Sequence, residues 1–286
     1  MKTYNEKINS TNSSNEKTAI CKHCGNMITA NSGIIQKSNK GNYYYICIEC
    51  NNFKYNYTVE NNRMVNGAKK HNMTHSFELE SDSRNNRLYE YNFIPTRDAT
   101  VAIEWKTPIY KSLNGLKKIL DSIYKDGLIT VTQRVGTHSN VGFINGIGRE
   151  KQQLLKKYYH ILFIPLSNHL ISNKIKTEKL FGRKLGYWSS AVNEFTNPLN
   201  HNNYINITHK SHLENRLSVF RNPTQFMQVI KFNVDLLQCI QSNLFENFDR
   251  GMSDEKLDHK AHIISKKLIK LFNKNYDLLV KKEGVL

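Results

Sequence analysis

Glu78 and Glu80 sit one residue apart in Phe77-Glu78-Leu79-Glu80, where apolar and charged residues alternate. Alternation predicts a strand, and on a strand residues two apart point to the same side. Two carboxylates on one sheet face repel each other unless cations lie between them. The pair is therefore a candidate divalent-metal seat, with a solvated outer face as the plain alternative. Glu104 lies in the apolar run Val101-Ala102-Ile103-Glu104-Trp105. A carboxylate there needs a partner, either a metal or the neighbouring Lys106 in a structural ion pair. Gly136-Thr137-His138-Ser139-Asn140-Val141-Gly142 is bounded by glycines and puts His138 and Asn140 on one face. Histidine is a borderline ligand, and asparagine can hydrogen-bond phosphate or substrate. Glu214 and Arg216 repeat the two-residue spacing. One offers a metal ligand and the other a phosphate clamp, the alternative being a salt bridge worth little if exposed. The chemistry these residues share is holding divalent cations and phosphate oxygens.

The elements that must position them follow from periodicity and punctuation. Strands are expected at Thr74–Ser81, Arg87–Ile94, Thr100–Tyr110, Leu128–Val135, His138–Phe143 and Leu213–Phe220. Ser112 reads as the N-cap of a helix with Leu113, Leu116, Ile119, Leu120 and Ile123 on one face, closed by Gly127. Further helices are expected at Arg149–Leu162, Gln225–Asn243 and Asp254–Lys282, the last basic and amphipathic, with a connection through Asn200–Asn206. Strands joined by hairpins or helices without strict βαβ alternation predict an α+β fold, an antiparallel sheet with helices packed on one face.

Ahead of this domain lie Cys21-Lys22-His23-Cys24 and Cys47-Ile48-Glu49-Cys50. Two residues between cysteines form a tight knuckle that aims both thiolates at one ion, so Cys21, Cys24, Cys47 and Cys50 are expected to bind zinc. Turn residues at Asn31-Ser32-Gly33 and Asn39-Lys40-Gly41 separate the strand-like Gly33–Ile35 and Tyr43–Ile46. The expected organisation is a disordered tail at 1–18, a zinc ribbon at 19–57, a linker at 58–73 and the main domain at 74–286. The ribbon is a staple for a module too small to fold alone. Lys22, His23, Lys37, Lys40, Lys54 and the Tyr43–Tyr45 run also offer a basic, aromatic docking surface. Cys239, in an apolar helical run, reads as a buried thiol.

Composition narrows the field. The chain has 286 residues, 39% of them hydrophobic, enough for one sizeable core plus a small module. No apolar run is long enough to cross a bilayer, and Met1–Ala19 is polar rather than signal-like, so a cytoplasmic protein is expected. Abundant Asn, Lys, Ile and Tyr fit an AT-rich genome such as a low-GC bacterium, its phage or its plasmid. The formal net charge of +17 attracts polyanions, although lysine-rich proteomes yield basic proteins of every kind.

Taken in order, these segments resemble the amidoligases of the glutamine synthetase and glutamate–cysteine ligase superfamily, from about Thr74 to Asn243. In that family the first strand carries an E-x-E pair, matched by Glu78 and Glu80. A later strand, introduced by an acidic turn and ending before a Ser/Thr-Pro, carries another glutamate; here these are Asp98, Glu104 and Thr107-Pro108. A G-x-H-x-H-like strand is matched by Gly136, His138 and Asn140, with Asn140 where the family has its second histidine. Arg183 stands for an arginine in a helical stretch, and Glu214 with Arg216 for a closing E-x-R strand. The resemblance implies a glutamine synthetase-like catalytic domain, an ATP- and magnesium-dependent carboxylate–amine ligase working through an acyl phosphate. Glu78, Glu80, Glu104, His138 and Glu214 would share the magnesium ions. Asn140 would help hold the nucleotide, and Glu104, Arg183 and Arg216 would serve catalysis. Substrates would be an amine and a carboxylate, free or on a peptide or protein. Two alternatives stand beside it. One is a zinc-ribbon nucleic-acid-binding protein using the +17 charge and the Lys266, Lys267, Lys270 and Lys274 helix. The other is a metal-dependent nuclease.

Overall fold

A computed structural model describes residues 18–20, 27–29, 33–37, 43–47, 73–81, 86–91, 93–96, 103–107, 109–110, 113–129, 136–143, 146–186, 189–209 and 211–284. The chain divides into two units, Met1–Asn66 with Glu80–Pro108, and Gly67–Leu79 with Ile109–Leu286.

In the first unit β1 (Thr18–Ile20) pairs antiparallel with β2 (Met27–Thr29), and β3 (Gly33–Lys37) with β4 (Tyr43–Cys47). The β3–β4 hairpin is the one expected from its turn residues, with Gly33 opposite Cys47. Cys47 closes β4, but its side chain and Cys21, Cys24 and Cys50 lie outside the described residues, as do the expected tail at 1–17 and linker at 58–72. The aromatic segment expected as a strand at Arg87–Ile94 is instead a 3-10 helix, Asn86–Tyr91. Leu88 and Phe93 are both buried there, and the Phe93 N–H donates to the Leu88 carbonyl at 3.1 Å. Burial of large side chains is what the aromatic composition announced; it does not specify extended backbone. Two short antiparallel strands, Ile94–Thr96 and Ile103–Lys106, follow.

The second unit starts with β5 (Met73–Ser81, reaching Leu79 within this unit), which alternates buried and half-buried residues along its length. The first unit's remaining strands are β6 (Ile94–Thr96) and β7 (Ile103–Lys106), paired so that Thr96 faces Glu104. Helix α1 (Leu113–Lys125) buries Leu116, Leu120 and Ile123 and ends at Gly127, whose φ of +64° is the left-handed turn that favours glycine. Ser112 and residues 130–135 lie outside the described residues, and Leu128–Ile129 are irregular. β8 (Thr137–Phe143) follows, then α2 (Arg149–Ser172). That helix was expected to end at Leu162. It continues through Pro165 because Phe163 before the proline and Leu166, Ser167 and Leu170 after it are buried, and that packing offsets a proline cost of about 3 kcal/mol. Then come α3 (Lys174–Phe181), β9 (Ile205–Asn206) and β10 (His212–Asn215). The expected strand to Phe220 stops at Asn215. Beyond it Ser218 donates to the Thr137 carbonyl, and the Phe220 N–H donates to Thr137 Oγ1 at 3.1 Å. These side-chain bonds replace a regular ladder.

Asn222 caps α4 (Pro223–Ile240) by accepting the Gln225 N–H at 2.8 Å, with Pro223 at the first turn. A π-helical turn, Gln241–Phe245, and a short turn, Glu246–Asp249, lead to α5 (Asp254–Lys282), whose bounds are those expected. Cys239, expected to be buried, is half-buried. The helices pack on one another, and α4 packs on β8. No described helix is long and apolar enough to cross a membrane.

In this unit the strands run β5-β8-β10-β9, each antiparallel to its neighbour, and with the helices they make an α+β fold. Register assigns the faces. Phe77, Ser139, Asn215 and Ile205 are mutual partners across the strands and share the helix side. Phe77 meets Phe226 of α4 edge-on at 5.3 Å, and Asn233 of α4 bonds both Ser139 and Asn215.

His75 is buried on that helix side, its Nδ1 without a hydrogen-bond partner, and burial pushes its pKa down to about 4. Between about pH 6.5 and pH 4 the unfolded chain protonates this histidine and the folded chain does not. Stability must therefore fall as pH drops through that window, by about 2 kcal/mol at pH 4.5. Urea titrations at pH 7 and pH 4.5 should show this loss in the wild type and most of it abolished in His75→Leu. An equal loss in both would acquit His75.

Candidate metal and phosphate site

The other sheet face is built by the same register. Glu78 lies opposite His138, Ser76 opposite Asn140, Asn140 opposite Glu214, and Glu214 opposite Asn206. Directly opposed residues point to the same side, so Glu78, His138, Asn140, Glu214 and Asn206 share a face, and the chain drives them there by strict two-residue alternation. Glu80 continues Glu78's side along β5.

Glu214 is the centre of the face. It is 3% exposed, and four donors surround it. Arg216 NH1 donates to Oε1 at 2.7 Å, and His138 Nδ1 lies 3.0 Å from the same oxygen. Asn206 Nδ2 donates to Oε2 at 2.5 Å, and His209 Nε2 stands 3.4 Å from it. Burial opposes the Glu214 charge, but hydrogen bonds from His138 and His209 and the charges of His138 and Arg216 hold its pKa well below the usual carboxylate range. Glu78 completes the cluster, its Oε2 3.7 Å from His138 Nδ1 and its Oε1 accepting from Asn140 Nδ2 at 3.2 Å. Burial also opposes a charge on His138, yet hydrogen bonds to Glu214 and Glu78 hold its pKa up to about 9. Two carboxylates thus face an imidazolium and a guanidinium, a balanced set that a low-dielectric interior demands.

Among the described residues, the buried Arg216 Nε and Asn140 Oδ1 on this face find no hydrogen-bond partner. A buried polar group left unmade costs about 1–3 kcal/mol. On one face, an unmatched donor is what an anionic oxygen would satisfy, and an unmatched acceptor what a cation would satisfy. With the hard carboxylates of Glu78 and Glu214, and His138 once an arriving cation displaces its proton, the donor set fits a divalent cation with phosphate.

Of the residues singled out by sequence, Glu78, His138, Asn140, Glu214 and Arg216 are brought together. Glu104 belongs to the first unit, where Thr96 Oγ1 donates to its Oε2 at 2.8 Å and Lys106 Nζ lies 3.4 Å away, the ion pair weighed above. Arg183 follows the left-handed Gly182 (φ +84°) at the end of α3 and is half-buried, so it stands in a turn rather than a helix. Asp98 and Pro108 lie outside the described residues.

Sequence reasoning missed Asn206, His209 and His201. His209 stacks on His212 at 4.5 Å and 15°, and reaches Glu214 from the loop after β9. The His201 pKa is lowered by burial and then by the Arg216 charge. The available signal was three histidines, His201, His209 and His212, in the stretch leading up to Glu214 and Arg216. The chain matches no protein-family model and no curated protein sequence.

Proposed function

We propose that the second unit is the glutamine synthetase-like catalytic domain of an ATP- and magnesium-dependent carboxylate–amine ligase, and that Cys21, Cys24, Cys47 and Cys50 hold zinc ahead of it. The observation that carries the reading is the single sheet face on which Glu78, His138, Glu214 and Arg216 converge, with an unmatched guanidinium N–H among them. That face supports cation and phosphate binding. The choice of ligase over other phosphate chemistry is supported by the resemblance in motif order and spacing.

Glu78 and Glu214, with His138 in its neutral form, would hold magnesium; the ion, when bound, neutralises phosphate charge so that one anion can approach another. Arg216 binds an oxygen of the transferring phosphoryl group through its Nε–H, while its NH1 stays on Glu214. Asn206 and His209 fix the Glu214 carboxylate so that it does not turn when phosphate arrives. Arg183 is assigned to phosphate by resemblance alone. A substrate carboxylate oxygen attacks the γ-phosphorus and ADP leaves. The amine then attacks the acyl carbon, phosphate leaves and takes up the proton the amine gives up, and an amide or isopeptide bond remains. Activation is required because a free amine and carboxylate in water form an inert ion pair.

Calorimetric titration with a non-hydrolysable ATP analogue and magnesium tests the proposal. The expected result is magnesium-dependent binding in the wild type, lost in Glu214→Gln. A wild type that ignores nucleotide but binds DNA or RNA with salt-dependent affinity would replace the ligase with the nucleic-acid reading that the +17 charge favours.

A further inference from the structure

Asn140 occupies a peculiar position on this face. Its side chain is 4% exposed, and its amide has two ends with opposite needs. Orientation is settled by its neighbour: Nδ2 lies 3.2 Å from Glu78 Oε1, and an ionised carboxylate only accepts, so the nitrogen end must point there. The carbonyl end, Oδ1, is therefore turned the other way, buried and without a hydrogen-bond partner. Asn140 stands directly across from Ser76 on β5 and Glu214 on β10, in the middle of the charged face.

A bare acceptor there cannot face an ionised phosphate oxygen, since two acceptors repel. It can face a cation. Amide carbonyls are hard oxygen ligands and commonly complete magnesium, calcium or manganese shells alongside carboxylates. We propose that Asn140 Oδ1 is a direct ligand of a hard divalent cation on this sheet face; this deepens the cation-site reading above and rests on it. The Nδ2–H bond to Glu78 then has a second use, because it locks the carbonyl toward the ion. An imidazole at this position would suit zinc, nickel or copper, whereas the amide oxygen tilts the seat toward magnesium, manganese and calcium.

The probe is manganese(II) alone, added to the full chain and followed by loss of the free-ion electron paramagnetic resonance signal. Manganese prefers oxygen ligands, so the cysteine pairs do not compete for it. The wild type is expected to bind, and Asn140→Ala to bind about tenfold more weakly. Asn140→Asp separates ligation from orientation. It keeps an oxygen for the ion but replaces the N–H that holds Glu78 with a repelling carboxylate. Direct ligation predicts affinity equal to or tighter than wild type. Weakening as large as in Asn140→Ala, with melting temperatures unchanged, would show that Asn140 only orients Glu78, and the ligand role would fall while the cation seat stood. Absence of manganese binding in the wild type would remove the seat itself, and the reading it rests on.

Discussion

Glu214→Leu is expected to cost about 3–5 kcal/mol of stability, the usual consequence of removing one partner from a buried ion pair. The carboxylate is 3% exposed and collects Arg216, His138, Asn206 and His209. Leucine matches the volume closely, so lost packing contributes little. The loss comes from Arg216, itself 8% exposed and deprived of the Glu214 carboxylate, and from His138, left with Glu78 alone at 3.7 Å. Glu214→Gln should cost less than Glu214→Leu, because its amide oxygen still accepts from Arg216 or Asn206 although the charge is gone, and it should abolish magnesium-dependent nucleotide binding. Urea unfolding of both variants at pH 7 checks the pair. A Leu variant within about 1 kcal/mol of wild type would mean that Glu214 is a spectator among cations that water already satisfies.

Gly142→Ala should be the most damaging single-methyl insertion near the site. A Cβ at Gly142 would stand 2.4 Å from the Ser211 carbonyl oxygen and 3.1 Å from His212 Cβ. The obstacle is backbone, which cannot swing aside as a side chain can. Gly142 is paired with His212 at the start of β10, so the strand itself has to move. Overpacking of this kind costs about 1–3 kcal/mol. It also shifts Glu214, two residues along, against Asn140. The expected result is a lowered melting temperature together with weakened manganese binding. Gly186→Ala is the control, since a Cβ there meets nothing within 4 Å, and it should leave both unchanged. Equal behaviour of the two variants would refute the close-approach explanation.

Much of the face was legible in the chain because strands have a period of two. Glu78 with Glu80, His138 with Asn140, and Glu214 with Arg216 could each be placed on a common side before any pairing was known. The basic amphipathic helix Asp254–Lys282 was equally legible, since a 29-residue run at helical period leaves little choice. Arg87–Ile94 misled because aromatic residues report burial, and a 3-10 turn buries Leu88 as well as a strand would. Leu213–Phe220 misled for a related reason: it is buried throughout, but past Asn215 its own Ser218 side chain and the Thr137 side chain from β8 take over the bonding. Pro165 concealed the second half of a long helix, because a local breaking signal cannot be weighed against tertiary packing that is not yet visible.

Alternation by itself determined which side of its own strand each charged residue takes, and residue type determined that those sides carry carboxylate, imidazole and guanidinium. Only the tertiary structure decided that β5, β8 and β10 lie side by side in this register, so that Glu78 meets His138 and Asn140 meets Glu214. It alone recruited Asn206 and His209 to Glu214, and it alone turned Asn140's carbonyl into an unmatched acceptor. The physical reason is that facing is a local property of backbone geometry, set by each residue's own φ and ψ. Neighbourhood across strands, burial and the pKa values that follow from them depend on contacts between residues such as Glu78 and Asn140, 62 positions apart in the chain.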